Sequence, residues 1–202
     1  EQLMQDLFGL FKQNVPNAKL RESVGEALGA TLYTYCRMGH WDDQLVKDIQ
    51  KALVDKMAAC DSDPAPGECV AMLVRALRNG GLPETIPVLL GLAETSKDGG
   101  VSEAAIKALS RMGDDNLRRD EVRSAMKRIF HQRARGFDSA VRSRALDIIL
   151  NTGVSEDEVR DILRETADPW NTEYDLYVQA VLYNLMDQDE GIKEKMTKIL
   201  KE

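Results

Sequence analysis

Apolar side chains recur every three to four residues along most of the chain, which is the spacing of one face of an α-helix. The first such stripe consists of Leu3, Met4, Leu7, Phe8, Leu10 and Phe11. Strict alternation of apolar and polar residues, which is typical of a β-strand, is scarce. The pattern therefore predicts helices throughout and no sheet.

Signals that end one helix and begin the next recur at four glycines, Gly39, Gly81, Gly113 and Gly153. Glycine readily adopts the positive φ with which many helices end, and each of these glycines is soon followed by Asp, Pro or Ser, which are favoured at helix starts. The intervals between the four glycines are 42, 32 and 40 residues. Helix pairs that repeat at about 40 residues are typical of an α-solenoid of the HEAT or armadillo kind.

These elements predict an all-α fold, a curved two-layer α-α superhelix of about ten to eleven helices that forms a single domain over residues 1–202. The best-marked helical hairpin is predicted over residues 68–79 and 84–95. Because the chain starts without an initiator Met and finishes inside a helical pattern, we expect it to be a fragment of a larger protein.

Three local patterns predict how individual helices begin and pack. Gly25 and Gly29 lie within one predicted helix, where two tolerated glycines indicate the close approach of another helix. Ser102 is predicted to cap the N-terminus of its helix. Ser155, with Glu158 three residues later, forms a capping box.

The helix predicted over residues 172–186 is apolar over most of its circumference. Its apolar residues are Tyr174, Leu176, Tyr177, Val178, Val181, Leu182, Leu185 and Met186. Such a helix is usually buried between layers, and that is the interpretation we favour. The alternative is a surface that faces something apolar outside the chain.

Composition and charge narrow the classes of function. A chain of 202 residues with 43% hydrophobic content is long enough to bury a sizeable core. The net charge of −7 is unfavourable for a nucleic-acid-binding protein, because neutralising phosphates requires a basic surface. No apolar run approaches the roughly 20 residues that cross a bilayer, so we predict no membrane-spanning segment.

Patterns of catalytic, metal and cofactor sites do not occur. The two histidines, His40 and His131, lack a nearby set of Cys, His or carboxylate residues at ligand spacing. Neither a GxSxG motif nor a glycine-rich phosphate loop is present. Many of the Asp and Glu residues start helices, where they act as caps. We therefore predict no catalysis, no metal and no cofactor.

Two cysteines, Cys60 and Cys69, flank a proline-containing segment between two predicted helices. Neighbouring helices bring such residues close enough for a disulfide, which would add about 2–3 kcal/mol of stability in the chain-entropy model. The alternative is two separate thiols, and the spacing alone does not decide between them.

A basic segment runs from Arg118 to Arg144 and carries nine Lys and Arg residues against three Asp and Glu residues. One interpretation is a solvated helix face that pairs with acidic neighbours. The other is a contact surface for an acidic partner, since arginine suits interface ion pairs. The candidate partner-contact residues are Arg123, Lys127, Arg128, Arg135 and Arg142.

Several stretches resemble the helical domain of the large lipid transfer proteins, the family of vitellogenin, apolipoprotein B, apolipophorin and microsomal triglyceride transfer protein. They are Lys19-Leu-Arg-Glu-Ser23, Leu32-Tyr-Thr-Tyr-Cys36 and the hairpin Ala76-Leu-Arg-Asn-Gly-Gly-Leu-Pro-Glu-Thr-Ile-Pro-Val-Leu-Leu90. Arg128-Ile-Phe-His-Gln132, Ala140-Val-Arg-Ser-Arg-Ala145 and Lys195-Met-Thr-Lys-Ile-Leu-Lys-Glu202 resemble the triglyceride-transfer branch more than the yolk-protein branch.

The resemblance implies a helical domain that wraps the β-sheet lipid cavity of a larger protein in the endoplasmic reticulum lumen. It implies protein disulfide isomerase and an apolipoprotein B-like protein as partners, with lipid bound by the parent. A vitellogenin or apolipophorin would instead be secreted, and a cytosolic HEAT-like adaptor is the alternative of another class. An oxidising lumen favours the Cys60–Cys69 disulfide, whereas Cys36 lacks the second cysteine that the transfer protein has nearby.

Overall fold

The computed structural model describes residues 1–13, 17–60, 63, 65–132, 136–165 and 172–201, with only the backbone of Thr172 and Glu173. These residues contain helices and no strand, which confirms the predicted all-α class. The twelve described α-helices are α1 (Gln2–Lys12), α2 (Ala18–Tyr35), α3 (Gln44–Ala59), α4 (Pro66–Gly80), α5 (Ile86–Thr95), α6 (Gly99–Leu109), α7 (Asp114–Leu117), α8 (Asp120–Phe130), α9 (Ser139–Asn151), α10 (Glu156–Glu165), α11 (Thr172–Gln188) and α12 (Glu190–Ile199). The short α7 was not predicted, because a single turn leaves no apolar periodicity.

The four glycines that set the repeat have positive φ angles. The φ values are 99° at Gly39, 59° at Gly81, 79° at Gly113 and 85° at Gly153. Residues with a side chain rarely adopt this region, so glycine permits each turn. The predicted positions of the turns are confirmed.

The helix starts follow side-chain chemistry, with one correction. The capping box is confirmed: Ser155 N donates to Glu158 Oε2 at 2.7 Å, and Glu158 N donates to Ser155 Oγ at 3.2 Å. The prediction for Ser102 is wrong, because α6 begins at Gly99 and Asp98 is its N-cap. Asp98 Oδ1 accepts hydrogen bonds from the N–H groups of the next turn, whereas Ser102 is fully buried. A carboxylate at the helix start is the stronger cap because it also faces the positive end of the helix dipole.

The chain divides into two compact units, Glu1–Val122 and Arg123–Glu202. Each unit is a segment whose residues contact mainly one another. The prediction of a single domain over residues 1–202 stays a prediction.

In the first unit α4 packs against α2, α3 and α6, while α1 packs against α2 and α5 against α6. Each of these contacts joins helices that are neighbours or next-but-one neighbours in sequence, as in a helical repeat. Its fully buried side chains include Leu28, Leu32, Leu53, Leu73, Leu77, Leu89 and Ile106. Arg75 of α4 pairs with Glu22 and Glu26 of α2, which fixes the register of these two helices.

The predicted close approach at the two glycines of α2 is confirmed. A Cβ atom added at Gly29 would lie 2.2 Å from the backbone oxygen of Ala76 in α4, and one at Gly25 would lie 3.1 Å from Met72 Sδ. No side chain fits at Gly29 without moving the backbone of α4.

In the second unit α11 packs against α9 and α12, and α10 packs against α12. The buried side chains include Phe130, Leu146, Ile149, Val159, Ile162, Val178 and Leu182. On α11, Leu176 is 60% exposed and Tyr183 is 68% exposed. The helix is therefore not sandwiched within the described residues, and the alternative of an outward apolar face describes it better.

Candidate functional site

The two predicted candidate features lie in different units. Cys60 and Cys69 belong to the first unit, and the described part of the basic segment that carries the candidate contact residues belongs to the second.

Cys60 follows the end of α3, and Cys69 lies in the first turn of α4. The structure joins their sulfur atoms, with the two Cα atoms 5.6 Å apart. Asp63, between them, lies 3.9 Å from Arg21 and accepts a hydrogen bond from Ala65 N. The bond would tie the short segment between α3 and α4 to the helix ends. The disulfide stays a prediction for the protein in solution.

Cys36 is a buried free cysteine. Burial, together with the nearby carboxylates of Glu84 and Asp43, raises the pKa of its thiol to about 11. A thiol with such a pKa is protonated at neutral pH and is a poor nucleophile, so its role is to fill the core.

Glu158 is the centre of the first ionic cluster in the second unit. Its Oε1 lies 2.7 Å from an amino group of Arg123 and 2.5 Å from Lys127 Nζ. Burial acts to raise the pKa of Glu158, but hydrogen bonds from Lys127, Ser155 N and Arg123 outweigh it and lower the pKa to about 2. Two of the predicted contact residues therefore pair with a neighbouring carboxylate of their own unit.

Arg142 is the centre of the second cluster, although it was predicted to contact a partner. It is only 3% exposed. Its Nε donates to the Phe130 carbonyl at 2.9 Å, an amino group lies 3.3 Å from Glu165, and the guanidinium lies 4.2 Å above the Tyr174 ring. A partner would reach Arg142 only after this cluster opened. The arrangement places its charge in the interior.

Two predicted contact residues remain, Arg128 and Arg135. Arg128 is exposed on α8, and Arg135 lies outside the described residues. Glu165 also lies 2.8 Å from His131 Nδ1, so one carboxylate serves both His131 and Arg142. Most of the described basic side chains are thus matched to acidic ones, as the first interpretation of this segment expects.

The structure brings no metal-binding set together in the part of the chain that it describes. No group of three or more Cys, His, Asp and Glu residues there has the arrangement of a metal site. No described helix is both long and apolar enough to cross a membrane. The second unit has an outward apolar face on α11, which is the second of the two interpretations of this helix that its sequence allowed.

Comparison with known proteins identifies the family. The profile of the vitellogenin TPR domain matches residues 1–187. The chain belongs to this family. The predicted resemblance to the large lipid transfer proteins is confirmed.

Curated relatives carry the name microsomal triglyceride transfer protein. The large subunit from Danio rerio is 36% identical over 163 residues, which cover 81% of this chain and 18% of that protein. The large subunit from Sus scrofa is 29% identical over 202 residues, which cover 100% of this chain and 22% of that protein. The protein from Megalobrama amblycephala is 34% identical over 163 residues, 81% of this chain and 18% of its own length. This chain thus spans about a fifth of the length of these relatives.

Proposed function

We propose that the chain is a non-catalytic helical domain of a lipid transfer protein of the microsomal triglyceride transfer kind. In this proposal it wraps the lipid-binding β-sheet cavity of the parent protein and offers contact surface for the lipid loading of lipoproteins. The observation that carries the proposal is the similarity to the large subunit from Sus scrofa, which extends over the whole chain.

The exposed face of α11 supports the wrapping role. Leu176 and Tyr183 are seven residues apart, so two helical turns separate them and they lie on the same side of α11. Large apolar side chains at such a position are stabilised when another surface removes them from water. The rest of the parent protein would supply that surface.

The location and the partners follow from the same proposal. A protein of the microsomal triglyceride transfer kind would act in the endoplasmic reticulum lumen with protein disulfide isomerase and an apolipoprotein B-like protein. The matching family profile is that of the vitellogenin TPR domain, which favours a second candidate function. This candidate is a secreted carrier lipoprotein of the vitellogenin or apolipophorin kind. Co-purification of the parent with protein disulfide isomerase separates the two, since only the first is expected to retain it.

Exposed basic residues are the candidates for partner contact within this proposal. Arg128 on α8 is exposed, in contrast to the buried Arg142. Arg128→Glu in the full-length parent is expected to weaken binding of an acidic partner. Arg164→Glu, at another exposed arginine of the same unit, is the matched control. Equal binding by both variants would favour the other interpretation, in which the basic segment is a solvated helix face that contacts no partner.

Triglyceride transfer by the full-length parent tests the wrapping role. Leu176→Asp places a charge on the outward face of α11, and Asn184→Asp introduces the same charge at an exposed polar position of the same helix. We expect the first substitution to reduce transfer or yield of the folded parent and the second to leave both unchanged. If Leu176→Asp behaves like its control, α11 does not pack on the parent.

A further inference from the structure

We infer that a pocket in the first unit, between α2, the C-terminal end of α4 and the residue Arg111 beyond α6, is a binding site for a phosphate group. The pocket has a volume of about 410 Å³ and is lined by Tyr33, Arg78, Asn79 and Arg111 among others. We call it the arginine pocket. The inference goes beyond the proposed function and does not depend on it.

Arg78 is the first observation that points to a ligand. Its Nε is buried and has no hydrogen-bond partner among the described residues. A buried N–H of a charged group is unfavourable without an acceptor, and native structures nearly always supply one. Arg78 lines the arginine pocket, and an anion bound there would supply the acceptor once the side chain turned this N–H toward the cavity.

The charge balance of the pocket is the second observation. No carboxylate occurs among the described residues that line it, and none lies within ion-pair distance of Arg78 or Arg111 in the described part of the chain. A third arginine, Arg37, does not line the pocket but donates from an amino group to the hydroxyl of the lining residue Tyr33 at 3.4 Å. A chain with a net charge of −7 thus keeps a cationic cavity.

The end of α4 offsets this charge only in part. The C-terminus of a helix carries roughly half a negative elementary charge, and basic residues near it are common for that reason. Arg78 and Arg111 together carry two positive charges, so the pocket stays cationic after the dipole is counted. The partial negative charge at the end of α4 therefore balances only part of the positive charge of Arg78 and Arg111.

A larger groove in the same unit has no excess of positive charge. It has a volume of about 630 Å³, and its lining has three basic and three acidic residues, Lys19, Arg21, Arg75, Glu22, Asp63 and Glu68. Arg75 pairs with Glu22 there, and Arg21 lies near Asp63. Its charges are internally matched, so size alone does not make a cavity an anion site.

The chemistry of the lining favours phosphate over a smaller anion. Guanidinium groups bind phosphate oxygens through paired, charge-assisted hydrogen bonds. A volume of about 410 Å³ lies within the range of roughly 300–1,000 Å³ of small-molecule pockets. Gly81, whose φ is 59°, leaves room for the Tyr33 ring, which a Cβ atom there would meet at 3.3 Å. The phosphate belongs either to a soluble phosphate ester or to a phospholipid headgroup.

The test is an NMR titration of the isotope-labelled 202-residue chain that follows the Nε–H signal of Arg78. Inorganic phosphate is added at constant ionic strength, with chloride as the balancing anion. We expect a saturable shift of this signal. Arg78→Gln and Arg111→Gln are each expected to weaken binding at least about tenfold, as the loss of a charge-assisted hydrogen bond predicts.

Arg119→Gln is the matched control, because Arg119 lies in the same unit, is exposed and pairs with Glu121 at 3.8 Å. It removes the same charge outside the pocket, so its affinity should stay within about twofold of the unmodified chain. Arg111 is exposed, so its variant keeps the test valid if the variant at the half-buried Arg78 does not fold.

Vesicles separate the two sources of phosphate. Binding to phosphatidic acid vesicles and not to phosphatidylcholine vesicles, lost in Arg111→Gln, would assign a lipid headgroup. Binding of inorganic phosphate without vesicle binding would assign a soluble ester. The inference is overturned if neither probe moves the Arg78 signal, or if Arg111→Gln binds as tightly as the Arg119→Gln control.

Discussion

The contact between α2 and α4 makes Gly29→Ala the most informative single substitution in the first unit. The added Cβ atom would lie 2.2 Å from the Ala76 oxygen, 3.0 Å from its carbonyl carbon and 3.1 Å from Asn79 Cβ. The two nearest of these atoms belong to the backbone of α4. They cannot rotate away, so the two helices have to separate.

Two opposing terms set the magnitude. Alanine is favoured over glycine in a helix interior by about 1 kcal/mol. The Cβ atom, however, lies more than about 1 Å inside ordinary van der Waals contact, and overpacking of this kind costs about 1–3 kcal/mol. Because the obstructing group is backbone, we take the upper end of this range. The free energy of unfolding should therefore fall by about 2 kcal/mol.

Urea denaturation of the 202-residue chain measures this change. Gly9→Ala in α1 is the matched control, since its added Cβ would meet no atom within 4 Å among the described residues, apart from its chain neighbours and its own helix backbone. The control is expected to raise the free energy of unfolding by up to about 1 kcal/mol through helix propensity alone. Opposite signs for the two substitutions support the close packing of α2 on α4. If Gly29→Ala is as stable as Gly9→Ala, the reasoning is refuted.

Three further predictions concern the disulfide and the ionic clusters. Replacing both Cys60 and Cys69 with Ser should lower the free energy of unfolding by about 2–3 kcal/mol. Mass spectrometry of the unmodified chain should show a gain of two hydrogen masses on reduction. An unchanged mass would show that the two thiols are free. Glu165→Ala leaves the buried Arg142 without that carboxylate and should cost about 3 kcal/mol in denaturation, whereas a loss below about 0.5 kcal/mol would contradict a buried pair. Because folding lowers the pKa of Glu158, this carboxylate stabilises the folded state fully above its unfolded pKa near 4.5, and the stabilisation is lost as pH falls toward about 2. Glu158→Gln should remove this part of the pH dependence of the free energy of unfolding. An acid-unfolding curve that the substitution leaves unchanged would argue against the cluster.

The sequence carried enough information to predict most of the fold. The four glycines with positive φ, the capping box at Ser155 and the close approach at Gly29 follow from local backbone chemistry, which acts within a few residues. Ser102 was mistaken for a cap because Asp98, followed by two glycines, looked like a break and is instead the start of α6. Glycines in a first helical turn weaken the pattern without preventing the helix.

The candidate sites were harder to predict because they depend on contacts between helices. Because arginine is almost never fully buried, a sequence-based prediction places both Arg142 and its neighbour Arg144 at the surface. Only Arg144 is exposed, and nothing in the local sequence distinguishes the two residues. The carboxylate that makes its burial tolerable is Glu165, 23 residues away. The arginine pocket joins Arg78 and Arg111 from different elements, and no spacing in the sequence indicates that they meet.

Triglyceride transfer by the full-length parent protein tests the central claim most directly. Labelled triglyceride is placed in donor vesicles, and its appearance in acceptor vesicles is followed with and without the purified parent. A helical domain of a lipid transfer protein predicts transfer well above the rate without protein. A folded parent that neither binds nor transfers triglyceride would contradict the assignment.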